Sequence, residues 1–338
     1  MPPLTARRLW LSLGLLSAGL AACVAVCASL GSSHYTLLDL IRQAPGHETA
    51  SATILRVRLP RILMAALAGA ALGASGAAFQ AVLRNPLADP YILGVSGGAA
   101  LGAFLATAAG LEALAPALPL REAAAFLGAA ATVGALFLLS SVRGRILSYP
   151  MLLIGVIMNT VYLALILLIE TVVDFTRLHG VRLWMIGSIP IEGYGLISGL
   201  SVLLVLGVAG LSLSGRDLNL MSAGEDAARS LGVTVERTRL VTVLLASLVT
   251  AAVVSVAGPI GFVGLIVPHA ARLVFGPDHR LLVPASALTG AIFLMAADTA
   301  ARTVLAPTEI PVGVITALCG GPFFLWLYRR QGGGGYFE

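Results

Sequence analysis

Long apolar runs constrain this chain more than any other feature of its sequence. Ten runs are each close to the length of about 20 residues with which an α-helix crosses a bilayer, the eighth being short and interrupted by Pro268. Charged residues make up 11% of the chain, whereas a soluble domain carries about 25%. The sequence therefore predicts an all-α polytopic membrane protein with about ten transmembrane helices. The predicted spans are roughly 9–30, 60–83, 91–110, 122–142, 150–173, 193–213, 238–257, 260–276, 281–304 and 310–328.

The first apolar run is open to a second interpretation. Arg7 and Arg8 precede it, and residues 20–23 (LAAC) are similar to the cleavage site of a bacterial lipoprotein. The run continues past Cys23 to Leu30, however, and further apolar runs follow it. We therefore interpret the run as the first transmembrane helix.

The distribution of arginine predicts the orientation in the membrane. With the N-terminus placed inside, the inside segments hold 13 of the 21 arginines, as the positive-inside rule requires. We expect a multi-pass protein of the bacterial plasma (inner) membrane with both termini in the cytoplasm. The other eight fall on the outside, and three of them lie close together, at Arg56, Arg58 and Arg61. They either reach towards lipid headgroups or form a docking patch for an acidic partner.

The chain contains no lysine, which excludes several kinds of chemistry. A Walker A loop places a lysine on the nucleotide phosphates, so this chain holds no standard one. The arginines are scattered between apolar runs, which does not favour nucleic-acid binding. The three cysteines and five histidines show no ligand spacing. We expect no metal and no cofactor.

The segment 214–237 is the most polar part of the chain. Gly224 is suited to ending one short helix, Glu225 and Asp226 to starting the next, and Gly232 to terminating it. Such an amphipathic helix either lies on the bilayer or inserts into a groove on a cytosolic partner. Its apolar stripe comprises Ala227, Ala228 and Leu231.

Two other function classes fit parts of the sequence. Residues 94–97 (GVSG) resemble the serine motif of intramembrane rhomboid proteases, with His269 as the possible partner of Ser96, but small residues at packing spacing surround this serine. An ion-coupled secondary carrier would use buried acids, whereas Asp298 has Arg302 four residues further on its own helix. Polar residues within the apolar spans, and interruptions such as those at 258–264 and 267–272, are instead typical of a translocation path. Such a path would receive its energy from another subunit.

Four long sequence segments resemble motifs of the FecCD family, whose members are the permeases of ABC importers for ferric siderophores, haem and cobalamin. They occur in the family's order, at 58–99, 224–233, 258–272 and 309–327. The resemblance implies a type II ABC importer permease fold and a transport subunit that is not itself an enzyme. It also implies a homodimer, two cytosolic ATP-binding subunits and a periplasmic or extracellular binding protein. Ferric siderophore is the first candidate substrate, with haem and cobalamin next.

The same resemblance implies roles for individual residues. The outer arginines that meet the binding protein match Arg58, Arg61 and Arg302. The segment that couples to the ATPase matches Gly224, Glu225, Ala227, Ala228, Leu231 and Gly232. The cytoplasmic gate matches Asn85, Leu87, Ser148 and Tyr149. Separately from the resemblance, we expect Met158 and Asn159 to line the pathway, with packing as the alternative role of Met158.

The domain organisation follows from the same features. We expect a single transmembrane permease domain at 1–331 that contains the coupling segment 214–237. The glycine-rich residues 332–338 are expected to form a flexible C-terminal tail.

Overall fold

The structure, a computed structural model, describes residues 4–31, 54–115, 118–142, 145–146 and 148–330. Within these ranges the chain is a bundle of helices, and its only strands are a two-residue ladder of β1 (Ser141–Val142) with β2 (Arg145–Ile146). The helices are α1 (Ala6–Ser29), α2 (Leu59–Val82), α3 (Val95–Ala108), α4 (Leu111–Leu114), α5 (Leu120–Ser140), α6 (Ser148–Val172), α7 (Phe175–Trp184), α8 (Tyr194–Leu213), α9 (Gly215–Ala223), α10 (Glu225–Ser230), α11 (Val235–Ala257), α12 (Val263–Phe275), α13 (His279–Thr303) and α14 (Val312–Arg330). A π-helical turn (Ile54–Arg58) precedes α2, and a 3-10 turn (Pro90–Leu93) precedes α3.

The ten predicted spans correspond to helices of the described chain. Seven helices are long and apolar enough to cross a membrane, namely α1, α2, α5, α6, α8, α11 and α13. The other three, α3, α12 and α14, are shorter apolar helices. The all-α prediction is therefore confirmed. The predicted C-terminal tail, 332–338, lies outside the described residues.

Helix α2 is the centre of the bundle and packs against α13 and α11. Small residues allow this contact, because a Cβ atom added at Gly69 would lie 2.1 Å from the carbonyl oxygen of Gly290. A Cβ at Gly73 would similarly lie 2.3 Å from the carbonyl oxygen of Ser286. The repeat of small residues in α2 therefore lets two backbones touch.

Two helices begin later than the apolar pattern predicts. Span 91–110 becomes helical only at Val95, because Gly94, with φ of 85°, separates the 3-10 turn from α3. Span 260–276 becomes helical only at Val263, after Phe262 with φ of 69°. Hydropathy does not detect these starts, since the residues before them are also apolar.

Helix α7 was not predicted, because its sequence is too polar for a span. It buries Leu178, Val181 and Trp184, which are spaced three residues apart on one face. Arg182 on this helix donates to the Glu170 carboxylate of α6 at 2.8 Å. This short amphipathic helix thus covers one end of the bundle.

Candidate functional site

One end of the bundle carries a cluster of ions, which we call the arginine cluster (Arg61, Asp298, Arg302 and Glu309). Asp298 lies 3.0 Å from a guanidinium nitrogen of Arg61 and 3.1 Å from one of Arg302. Arg61 also lies 2.7 Å from the Glu309 carboxylate. The close packing of α2 on α13 positions the group, because Arg61 is in the first turn of α2 and Asp298 is near the end of α13.

Burial changes how the predicted docking arginines must be interpreted. Arg58, Arg61 and Arg302 are all less than a tenth exposed. Arg58 donates to the carbonyl oxygen of Ala28 at 3.0 Å. The groups that bind Arg58, Arg61 and Arg302 thus come from the chain itself, and the docking role of these arginines stays a prediction.

The accessible charges at this end belong to other residues. Arg56 is exposed, and it follows Leu55, a partly exposed apolar residue whose carbonyl oxygen accepts a hydrogen bond from the Tyr194 hydroxyl. The Glu309 side chain is 56% exposed even though it pairs with buried Arg61. Glu309 thus connects the buried arginine cluster to the surface.

The predicted coupling segment lies at the opposite end of the bundle. It folds into α9 and α10, which Gly224 separates with φ of 134°, and Gly232 follows with φ of 86°. Both glycines adopt a backbone conformation that residues with a Cβ rarely accept. The predicted pair of short helices is confirmed.

The predicted apolar stripe of α10 is divided between two faces. Ala228 is fully buried, whereas Ala227 is exposed and Leu231 is 65% exposed. Ala228 therefore packs the helix onto the bundle. Ala227 and Leu231 are the apolar groups that a partner could contact.

Ion pairs fix α10 against the start of α11. Buried Arg239 donates to the Glu225 carboxylate. Arg229 lies 3.5 Å from Glu225 and 2.7 Å from Glu236, and these acids raise the pKa of the Arg229 guanidinium. Glu225 thus binds two arginines, which gives it a structural role besides any contact with a partner.

The predicted gate residues near α2 lie in the turn that follows this helix. Asn85 accepts a hydrogen bond from the backbone N–H of Leu87 at 2.9 Å, which closes a tight turn. Leu87 is 37% exposed, and Asn85 is half-buried. The other predicted pair begins α6, where Tyr149 is 77% exposed. For Ser148 the structure describes the backbone alone, as the first residue of α6.

Asp89 and Tyr91, which the sequence did not single out, organise the region next to this turn. Buried Asp89 accepts a hydrogen bond from the Tyr91 N–H at 2.8 Å and so caps the 3-10 turn. Burial raises the pKa of the Asp89 carboxyl to about 6, although this hydrogen bond opposes the rise. The Tyr91 hydroxyl donates to the Ile260 carbonyl at 2.8 Å and accepts from the Ile260 N–H at 2.9 Å. Tyr91 therefore ties this turn to the break before α12.

The predicted pathway residues are both half-buried on α6. The Asn159 amide donates to the Tyr91 carbonyl at 2.9 Å, and a Cβ at Gly97 would lie 2.5 Å from the Asn159 side-chain oxygen. Met158 lies beside Gly94. Asn159 thus joins α6 to the Tyr91 turn. The sequence around Tyr91 does not predict this contact, because the two residues are far apart in the chain.

The described residues contain no group of three or more His, Cys, Asp or Glu side chains that could hold a metal ion. His269, considered as a protease partner of Ser96, has aromatic neighbours, with ring centroids 6.2 Å from those of Phe323 and Phe324. Asp298 is a buried acid of the kind that an ion-coupled carrier would use, but it is bound by two arginines. The pairing of Asp298 with two arginines therefore does not favour an ion-coupled carrier.

The FecCD transport family model matches residues 19–330. This chain belongs to that family. As a FecCD protein it is a multi-pass membrane permease subunit of an ABC transporter, a class that transports rather than catalyses.

Two curated relatives of this FecCD chain are similar over most of their length. The cobalamin import system permease protein BtuC of Halobacterium salinarum is 44% identical over 284 residues, which cover 84% of this chain and 75% of the relative. The hemin transport system permease protein HmuU of Yersinia pestis is 42% identical over 280 residues, which cover 82% and 83%. Membership of an ABC transporter family implies ATPase and binding-protein partners for this chain.

A solved structure shares the fold. It is an inward-facing structure assigned to the metal-chelate type of ABC transporter, with a TM-score of 0.83 and 31% identity. The match covers 95% of this FecCD chain and 99% of the solved one. The predicted permease fold is therefore confirmed.

Proposed function

We propose that this chain is the permease of an ABC importer that carries a metal chelate into the cytoplasm. The chelate is a ferric siderophore, haem or cobalamin, in the order that the sequence suggested. The family membership supports the proposal, as do relatives named for cobalamin and hemin. The observation that carries it is the pair α9–α10, which leaves Ala227 and Leu231 exposed at one end of a bundle whose own sequence lacks the lysine of a Walker A loop.

The energy enters at the coupling segment in this proposal. A cytosolic ATPase contacts exposed Leu231 and Ala227, while buried Ala228 and the Glu225–Arg239 pair transmit the displacement to α11. Gly224 and Gly232 set the direction of α10. Rigid attachment matters because a helix that moved alone would leave the bundle unchanged.

The binding protein docks at the arginine cluster in this proposal. Arg58, Arg61 and Arg302 supply positive potential from beneath the surface, and a carboxylate of the binding protein competes with exposed Glu309. Arg56 adds an exposed charge at the same end. Docking by this route is electrostatic and weakens as salt is added.

The pathway lies between two copies of the chain in this proposal. Helix α6 is mostly exposed, with apolar side chains such as Leu153, Val156 and Ile157 at its surface. Met158 and Asn159 are half-buried residues of α6, and Tyr149 is exposed near the start of this helix. Asn85 and Leu87 lie in the turn after α2. Closure of these residues forms the cytoplasmic gate. A weakly polar wall suits a large chelate, because strong contacts would retain it.

The domain and orientation fit this function. A single permease domain at 1–331 holds the coupling segment 214–237, and both termini are cytoplasmic. The arginine cluster then faces the outside of a bacterial plasma membrane, and the coupling segment faces the ATPase.

Reconstitution tests the proposal. The permease, its ATPase and its binding protein are placed in liposomes, and uptake of a ferric hydroxamate, hemin and cobalamin is measured with ATP. We expect ATP-dependent uptake of one chelate, and none with an ATPase whose Walker A lysine is replaced. Accumulation driven by a proton or sodium gradient without the ATPase would show an ion-coupled carrier instead.

A further inference from the structure

A cavity of about 910 Å³ opens at the end of the bundle that carries the coupling segment. The first turn of α1, the end of α2, the end of α9 and the connection from α12 to α13 form its wall. Five helix ends meet there, and three of these helices are long enough to cross a membrane. The cavity therefore lies at the level of the bilayer surface.

The wall of the cavity is positively charged. Arg8, Arg84 and Arg272 line it, against a single acid, Asp278. Asp278 already binds Arg280 at 2.6 Å and Asn219 at 2.7 Å. These contacts lower the pKa of Asp278 to about 2. The acid is thus committed to its own neighbours, and the cavity retains an excess of arginine.

A buried histidine in the wall points to a ligand independently of the arginines. His279 is 5% exposed, and its Nδ1 atom lies 2.9 Å from the Asn219 side-chain oxygen. Its Nε2 atom has no hydrogen-bond partner among the described residues. The Asn219 side-chain oxygen can only accept, so Nδ1 carries the ring proton and Nε2 is a hydrogen-bond acceptor. An unsatisfied buried acceptor is costly, and a hydroxyl group of a bound ligand would satisfy it.

Apolar side chains continue from the cavity to the outside of the bundle. Leu4, Leu273 and Phe275 line it, and Leu273 is 51% exposed. Val274 and Trp10, on the same two helices, are 69% and 72% exposed. Exposed tryptophan and aliphatic side chains beside arginines are typical of the boundary between headgroups and hydrocarbon.

We infer that this cavity binds the phosphate group of an anionic phospholipid. Arginines hold the phosphate, a hydroxyl of the headgroup donates to Nε2 of His279, and the acyl chains leave along Leu273 and Val274. The volume lies in the range of small-ligand sites, roughly 300–1,000 Å³, and basic pockets between transmembrane helices bind such headgroups. A lipid fits better than an acidic segment of the ATPase, because part of the wall continues into apolar surface that a soluble protein would not cover.

Native mass spectrometry of the purified full-length chain in detergent tests the inference. Phosphatidylglycerol, phosphatidylcholine and inorganic phosphate are the probes. We expect phosphatidylglycerol to bind most tightly and inorganic phosphate to compete weakly. Equal binding of phosphatidylcholine, or full displacement by millimolar phosphate, would overturn the lipid assignment.

Matched variants locate the site. We expect Arg84→Gln to weaken phosphatidylglycerol binding about fivefold, the contribution of one arginine near an anionic surface. Arg237→Gln removes the same charge at the same end from an exposed residue outside the cavity, and we expect it to change binding less than twofold. Equal effects would show diffuse electrostatic attraction and reject a built site.

A second variant blocks the cavity without removing charge. Ala223 is exposed and lines the cavity, so we expect Ala223→Trp to reduce lipid binding in a folded protein. The same variants are tested for association with the ATPase. Loss of ATPase binding with unchanged lipid binding would assign the cavity to the ATPase. The lipid assay uses the permease alone, so its result is independent of the proposed transport function.

Discussion

The guanidinium of Arg61 lies 3.0 Å from the carboxylate of Asp298, although 237 residues separate them in the chain. Asp298 is 1% exposed and also binds Arg302. One carboxylate thus binds two buried arginines, at the start of α2 and the end of α13. This contact joins two helices that pack closely against each other.

Removal of this carboxylate is expected to be strongly destabilising. Asp298→Ala leaves two buried guanidinium groups without their shared partner, which costs about 3–5 kcal/mol for a buried ion pair. Thermal unfolding in detergent measures the loss. The control is Glu309→Gln, since that side chain is 56% exposed and an exposed pair contributes at most about 1 kcal/mol. Similar losses for both variants would contradict the assigned importance of Asp298.

The two faces of α10 are expected to respond differently to substitution. Leu231→Asp places a charge on an exposed residue, so we expect a folded permease that no longer stimulates or binds its ATPase. Leu231→Met keeps an apolar surface and is expected to retain coupling. The measurements are co-purification with the ATPase and ligand-stimulated ATP hydrolysis.

Ala228 provides the converse test on the same helix. Because it is fully buried, Ala228→Glu is expected to lower the yield and the thermal stability of the permease before any partner is added. A stable Ala228→Glu protein that binds the ATPase normally would show that α10 packs differently.

Close helix contact predicts opposite effects for two glycine-to-alanine changes. A Cβ at Gly69 would meet the Gly290 carbonyl, whereas nothing lies within 4 Å of a Cβ at Gly134 in α5. We expect Gly69→Ala to cost about 1–3 kcal/mol through overpacking. Gly134→Ala should be neutral or stabilise α5 by up to about 1 kcal/mol. Denaturation of both variants in the same detergent gives the comparison.

The burial of Asp89 predicts a pH dependence of stability. Its pKa is about 6 in the folded chain, against 3.8 for an exposed carboxyl. Between about pH 4 and about pH 6 the unfolded chain releases this proton while the folded chain retains it. Stability therefore falls as the pH rises through this window, by on the order of 3 kcal/mol, and stays low above it.

Replacement of Asp89 by asparagine isolates this contribution. Asp89→Asn keeps an oxygen that accepts from the Tyr91 N–H but cannot ionise. We expect its unfolding temperature to change less between pH 4 and pH 7 than that of the unchanged chain. Parallel pH profiles for the two proteins would show that Asp89 does not titrate within the window.

The sequence predicted the helices well and the side-chain environments less well. Hydropathy located the ten apolar spans, and glycine and acidic residues located the break in the coupling segment at Gly224. The pairing of Asp298 with Arg302 was also predicted, because four residues on one helix place them on one face. The second arginine that binds Asp298, Arg61, was not predicted as its partner, because that contact depends on how α2 packs against α13.

The exposure of the site residues could not be predicted from the sequence. Arg58, Arg61 and Arg302 were assigned a docking role, and the structure shows that their side chains are buried. Ala228 and Leu231 were expected on one apolar stripe, but Ala228 is buried and Leu231 is exposed. A short helix or a helix end has too few residues for periodicity to define its buried face, so exposure depends on the neighbouring elements.

The sequence by itself determined that the chain is a bundle of membrane helices without a standard Walker A loop, because apolar length and the absence of lysine are properties of composition and order. The tertiary structure alone decided which charges are neutralised, which side of α10 a partner can contact, and that Arg8, Arg84 and Arg272 line one cavity. These properties depend on contacts between residues far apart in the chain, and close helix packing rather than local pattern brings them together.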